Sequence, residues 1–98
     1  MEKKTPHCKL TIVKTMVEAG KVRATSAARV GGAARGLTFD RMVDVVMGLK
    51  VADFYKSMTT HADHRIWQDV YRPTTPFGVV YLKLTVIEDV VIVSFKEL

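Results

Sequence analysis

Lys56, Gln68, Tyr81, Lys83 and Lys96 supply three ammonium groups, a carboxamide and a phenol. Brought onto one surface, such groups could bind and strain a phosphodiester without a metal. Fixed cations aimed at developing negative charge are commonly a large catalytic contribution, and lysine ammonium groups can supply them. Tyr81 could transfer a proton or stack a base. With a reference pKa of about 10 a phenol is a poor base at neutral pH unless cations lower it, and a lysine is one only if depressed from about 10.4. The acid and base assignments stay open. Other chemistries lack their signatures, since no P-loop, dinucleotide fingerprint or nucleophile elbow occurs and no acids are paired in glycosidase fashion.

What must gather these residues is a sheet. Residues 81–98 read as two alternating runs folded about Glu88-Asp89. A two-residue turn pairs Tyr81 with Lys96, Leu82 with Phe95, Leu84 with Val93 and Val86 with Val91. One face is then wholly apolar, and the other carries Tyr81, Lys83, Ser94 and Lys96, because side chains alternate across a strand. A longer loop of even parity keeps the same faces. Upstream, the runs Phe54–Thr60 and Arg65–Tyr71 pair across a three-residue loop, His61 to Asp63, setting Lys56 opposite Gln68, Phe54 opposite Val70 and Met58 opposite Ile66. A two-residue loop would instead set Lys56 against Asp69 as a cross-strand ion pair.

The first half of the chain is helical in pattern. Leu10, Val13, Met16 and Val17 recur at helical spacing from Lys9 to Ala19, with Gly20 as the left-handed stop. Thr38 caps a second helix, Phe39 to Leu49, whose stripe is Met42, Val45, Val46 and Leu49. Between them, a short helix through Thr25–Arg29 is expected to break into a flexible turn at Gly31-Gly32 and Gly36. Helices preceding strands predict an α+β domain spanning 1–98, with the helices packed on one face of a largely antiparallel sheet.

Composition narrows the function class. The 98 residues carry a formal charge of +5 and are 48% hydrophobic. No stretch approaches the roughly 18 apolar residues of a membrane span, so a soluble, cytoplasmic protein is expected. Residues 1–36 hold eight Lys/Arg against Glu2 and Glu18, while residues 37–98 hold seven against eight acids. The basic field belongs to the helical half and favours an anionic partner. Cys8 is the only cysteine, which rules out an internal disulfide, and His61-Ala-Asp-His64 reads as a polar turn rather than a metal site; no cofactor is expected. Arg65 and Arg72 are read either as phosphate contacts or as solvated charge, and Trp67 and Tyr71 as packed residues before RNA-stacking ones.

The runs Asp53-Phe-Tyr-Lys-Ser-Met-Thr-Thr60, Asp63-His-Arg-Ile-Trp-Gln-Asp-Val-Tyr-Arg-Pro73, Val80-Tyr-Leu-Lys-Leu-Thr-Val-Ile87 and Val91-Ile-Val-Ser-Phe-Lys96, with the opening Met1-Glu-Lys-Lys-Thr-Pro-His7, closely resemble the motility quorum-sensing regulator toxins, the MqsR family. The resemblance is collinear over essentially the whole chain, with departures at Arg23–Gly36 and Thr74–Phe77. It implies a RelE-like fold and the toxin of a type II toxin–antitoxin pair, an endoribonuclease that cleaves mRNA at GCU-like sites without needing the ribosome. It further implies an MqsA-like antitoxin that binds zinc and operator DNA, so that operator DNA is reached only through that partner. The family's activity residues fall on Lys56, Gln68, Tyr81 and Lys96; Lys83, Arg72 and Arg65 are weaker candidates for RNA contact that rest on the residues themselves and not on the resemblance. The rival reading is a non-catalytic basic module that binds RNA or a protein partner; mapping RNA ends after incubation in EDTA separates the two.

Overall fold

The computed structural model describes residues 1–97. The elements follow as β1 (Glu2–Lys3), α1 (Leu10–Glu18), β2 (Val22–Ala24), α2 (Ser26–Ala34), α3 (Phe39–Met47), β3 (Phe54–Thr59), β4 (Trp67–Tyr71), β5 (Thr74–Thr75), β6 (Gly78–Ile87) and β7 (Asp89–Glu97). One mixed sheet runs in the order β1-β3-β4-β6-β7-β2, with β5 paired to β6 off that path. Every pairing is antiparallel except β2 with β7. The expected α+β architecture is present, with β1, β2 and the short β5 as added strands that the alternation pattern did not announce.

Local chemistry explains the helix ends. Gly20, at φ 79, closes α1, where Lys21 N donates to Met16 O and Gly20 N to Val17 O, each at 2.9 Å. These two bonds form a Schellman stop, which needs a left-handed residue that glycine adopts without steric cost. The Thr38 hydroxyl accepts from Arg41 N at 3.3 Å, as its N-cap role requires. The reading of the middle segment was wrong: α2 runs unbroken through Gly31-Gly32. Thr25 caps it by accepting from Ala28 N at 3.1 Å, and the chain turns only at Gly36, φ 73. Those two glycines serve close packing, because a Cβ on Gly31 would stand 1.9 Å from the Phe95 carbonyl oxygen and one on Gly32 2.6 Å from Met42 Sδ.

The helices cover one face of the sheet. Val13 and Val17 of α1, Ala28 of α2, and Met42 and Val46 of α3 meet Tyr71, Leu82, Leu84, Val90, Ile92 and Phe95 in one buried cluster. Burying a large aliphatic or aromatic side chain of this kind stabilises by about 1.5–3 kcal/mol. At the β4 edge of this core the buried Asp69 carboxylate accepts from His7 N at 2.9 Å, Cys8 N at 3.0 Å and Ser57 Oγ at 2.6 Å. It thereby ties the N-terminal segment to the sheet. The Trp67 ring is packed, as expected, with the His7 ring stacked on it at 5.5 Å and Lys3 Nζ 4.3 Å from its centroid.

Tyr71 lies in the core at 1% exposure, and its hydroxyl has no hydrogen-bond partner among the described residues. Burial first, then the Asp69 charge, pushes its pKa from 10.0 up to about 12. The folded chain therefore holds this proton more tightly than the unfolded one. The associated stability is complete below the unfolded value and is lost as pH rises from 10.0 toward about 12. Tyr71→Phe should cost no more than about 1 kcal/mol at neutral pH, since no hydrogen bond is broken, and should flatten that alkaline loss. Chemical denaturation midpoints measured against pH for the two chains check both expectations.

Both hairpin registers differ in part from those the sequence suggests. In β6–β7, Tyr81↔Lys96, Leu82↔Phe95 and Lys83↔Ser94 stand as expected, but beyond a bulge the pairs are Leu84↔Ile92 and Val86↔Val90. Not Val93 and Val91. The turn is tighter than two residues, with Ile87 opposite Asp89 and Glu88 at φ 62. The extra residue on β7 restores the phase and sends Val90 and Ile92, both fully buried, toward the helices. In β3–β4 the pairs are Lys56↔Val70 and Met58↔Gln68, two residues away from the expected register. Residues 61–65 form a loop organised by Asp63, which receives Ile66 N on its carbonyl and Arg65 N on its carboxylate. A slip of two leaves Lys56, Met58 and Gln68 on their expected face, whereas a slip of one would have reversed them; Phe54, expected opposite Val70, pairs instead with Tyr71 across a break in the ladder.

Candidate active site on the open sheet face

The face turned away from the helices is where the predicted residues meet. Val70, paired to Lys56 on one side and Lys83 on the other, forms its buried floor. Tyr81 stands across from Lys96 and Lys83 across from Ser94, while Gln68 is opposite Met58, two residues along β4 from Val70. Lys56, Gln68, Tyr81, Lys83 and Lys96 therefore share one side of three adjacent strands and the neighbouring β7. Lys96 is exposed and the other four are partly buried.

Electrostatics confirms that these groups sense one another. Burial lowers the Lys83 pKa, and the Lys96 and Lys56 charges lower it further. Lys83 Nζ lies 5.8 Å from the Tyr81 ring centroid. Lys56 is raised instead, chiefly because its Nζ donates to Glu2 Oε1 at 2.6 Å, with smaller contributions from Tyr81 and Tyr55. Among the described residues the three lysines facing one floor meet a counter-charge at Glu2, on Lys56, so an arriving phosphate would relieve their mutual repulsion.

Two residues of this face were missed by sequence reasoning. Strict alternation puts Tyr55 on the helix side of β3. The ladder breaks between Phe54 and Lys56, a bulge of the kind that re-aims a side chain, and the Tyr55 ring comes within 6.5 Å of Tyr81, edge to face. Around that ring stand the Arg72 guanidinium at 4.0 Å, Lys56 Nζ at 5.4 Å and Lys4 Nζ at 5.5 Å. The same break sends Phe54, which alternation puts beside Lys56, to the helix side, where it packs against Tyr71 at 5.5 Å. Glu2 arrives on β1, where it pairs with Met58 at the sheet edge. A two-residue strand has too little pattern to be read from sequence.

The weaker predictions divide. Lys83 and Arg72 join the face. Arg65 does not: it sits at the tip of the β3–β4 hairpin with its guanidinium held by Asp63 at 3.1 Å. His61 and His64 are exposed in that same loop. A cavity of about 590 Å³ lies on the helix side between α3 and the 73–77 loop and is lined by none of the open-face residues.

Fold and face together define a class: a small α+β protein whose helices back a sheet that turns an aromatic-lined, cationic surface to solvent. Within that class the chain belongs to the family described as "Motility quorum-sensing regulator, toxin of MqsA", whose model matches residues 5–97. It is 60% identical over 97 residues to the mRNA interferase toxin MqsR of Escherichia coli (strain K12), covering 99% of each chain. Among the described residues no helix is long and apolar enough to cross a membrane.

Proposed function

We propose that the chain is an mRNA interferase, the toxin of a toxin–antitoxin pair, and that its open sheet face is the nuclease centre. The observation that carries the reading is the meeting of Lys56, Tyr81, Lys83 and Lys96 over one floor in a member of a toxin family. Cleavage proceeds by attack of a ribose 2′-hydroxyl on the adjacent phosphorus, leaving a 2′,3′-cyclic phosphate and a 5′-hydroxyl. Lys96 and Lys56 hold the phosphoryl oxygens as charge builds in the transition state, which is where preformed cations act most strongly. Gln68 orients the phosphate or a base edge. Tyr81 stands beside the same phosphate, and Arg72 with Tyr55 offers a flat cationic surface for a flanking nucleotide.

The partner is an antitoxin of the MqsA kind, zinc-binding and DNA-binding, through which alone the toxin reaches operator DNA. Both work in the cytoplasm, where mRNA is the substrate. The basic helical half supplies long-range attraction to RNA, and affinity should therefore fall steeply with added salt.

Cleavage by purified chain should persist in excess EDTA, with cuts at GCU-like triplets and cyclic-phosphate 3′ ends. Gel mapping of a labelled transcript checks this. RNA retained in a filter or mobility assay but never cut would favour the non-catalytic module, and EDTA-sensitive cutting would require a metal nuclease.

A further inference from the structure

The open face carries a carboxylate in direct contact with one of its lysines. Glu2 Oε1 accepts from Lys56 Nζ at 2.6 Å, the two side chains being 55% and 19% exposed. Its position is set on both sides of the residue: Glu2 pairs with Met58, Lys3 pairs with Ser57, and Thr59 receives the N-terminal amine on its hydroxyl at 3.3 Å. The carboxylate thus stands at the β3 edge of the lysine cluster and is partly solvent-exposed. A phosphate drawn to Lys56 would come to rest beside it.

From this placement we infer that Glu2 is the general base of the reaction, receiving the proton of the attacking ribose 2′-hydroxyl. The inference rests on the nuclease reading above and assigns the group that reading leaves open. In the step, the 2′-oxygen forms a bond to phosphorus as its proton passes to a Glu2 carboxylate oxygen. The bond from phosphorus to the 5′-oxygen breaks, and the leaving oxygen takes a proton from the Tyr81 hydroxyl; solvent then takes the proton from the Glu2 carboxyl and returns one to the Tyr81 phenolate, which restores both groups. No oxidant, reductant or metal is needed for the balance.

Three features of the face favour Glu2 over its neighbours. Lys56 is held charged by Glu2 itself and so cannot accept a proton. Lys83, although depressed, lies among Lys96 and Lys56, where a bound phosphate favours its charged form. Glu2 is kept ionised in the free chain by Lys56 first, with Lys4 and the N-terminal amine adding to the effect. When substrate phosphate engages Lys56, that ion pair loosens and negative charge arrives nearby, and both changes raise the proton affinity of Glu2 at the moment it is needed.

The test uses the untagged full chain as wild type, Glu2→Gln and Glu2→Asp, with a labelled RNA oligonucleotide holding one site mapped on the wild type, in EDTA. Thermal melts first establish that each variant is folded. Glu2→Gln should lower kcat about 10²-fold with KM unchanged or reduced, and should remove the acidic limb of the pH–kcat profile. Glu2→Asp should retain part of the rate and keep that limb. An unchanged kcat would overturn the inference, as would a faster Gln variant, which would make Glu2 a phosphate stand-in that substrate displaces. A slower Gln variant that kept the acidic limb would reduce Glu2 to positioning Lys56 and would also overturn it. If the wild type itself cut nothing, the nuclease reading would fall along with this one; wild-type cutting with an indifferent Glu2→Gln would remove the base alone.

Discussion

A Tyr81→Phe, Lys96→Ala double variant cuts RNA at least about 10³-fold more slowly than the wild-type chain, because removing even one preorganised donor to a developing anion commonly costs about 10²–10³-fold. Its folding should be nearly untouched. Lys96 is exposed, and Tyr81, paired with it across β6 and β7, keeps its ring and its contact with Tyr55 when only the hydroxyl is removed. Surface changes of this kind usually shift stability by less than about 0.5 kcal/mol. The comparison that matters is therefore between cleavage rate and unfolding midpoint in the same preparations. Lys96→Ala alone should account for most of the loss if the ammonium carries phosphoryl charge, whereas Tyr81→Phe alone isolates proton delivery from stacking, since phenylalanine still stacks. Relief of growth inhibition on expression should follow the cleavage rates. A folded double variant with full activity would remove this face from the mechanism.

Gly31→Ala carries the largest expected effect on the fold. The added Cβ would meet the Phe95 carbonyl oxygen at 1.9 Å and the Phe95 carbonyl carbon at 3.0 Å. Both are backbone atoms of β7, so no side-chain rotation relieves the contact and either α2 or β7 must move. Strain from overpacking a core commonly reaches 1–3 kcal/mol, and a backbone clash this close should cost at least about 3 kcal/mol. Helix propensity alone predicts the opposite sign, because alanine favours a helix over glycine by about 1 kcal/mol. A denaturation midpoint equal to or above wild type would show that α2 does not approach β7 this closely. The same contact bears on activity: Phe95 immediately precedes Lys96, and a displaced β7 would carry that ammonium away from Tyr81.

Side-chain order settled more here than length or spacing could. Apolar periodicity located α1 and α3, Gly20 and Thr38 supplied their stop and start, and period-two alternation put Tyr81, Lys83 and Lys96 opposite Leu82 and Phe95 and kept Lys56 and Gln68 together on one face of their own hairpin, which the β4–β6 pairing joins to the first. These are local properties of the backbone, expressed wherever the segment lies. The slip of two in β3–β4 did no damage because parity, not register, decides the face.

Tertiary structure decided the rest. The continuity of α2 through Gly31-Gly32 depends on the Phe95 backbone and Met42 Sδ, groups far along the chain that exclude a Cβ. Tyr55 reaches the open face, and Val90 and Ile92 reach the core, only through ladder breaks at β3 and β7. Glu2 finds Lys56 only because β1 adds to the edge of β3. Each outcome is selected by packing or hydrogen bonding between segments distant in sequence, and such energies leave no periodic trace in either segment alone.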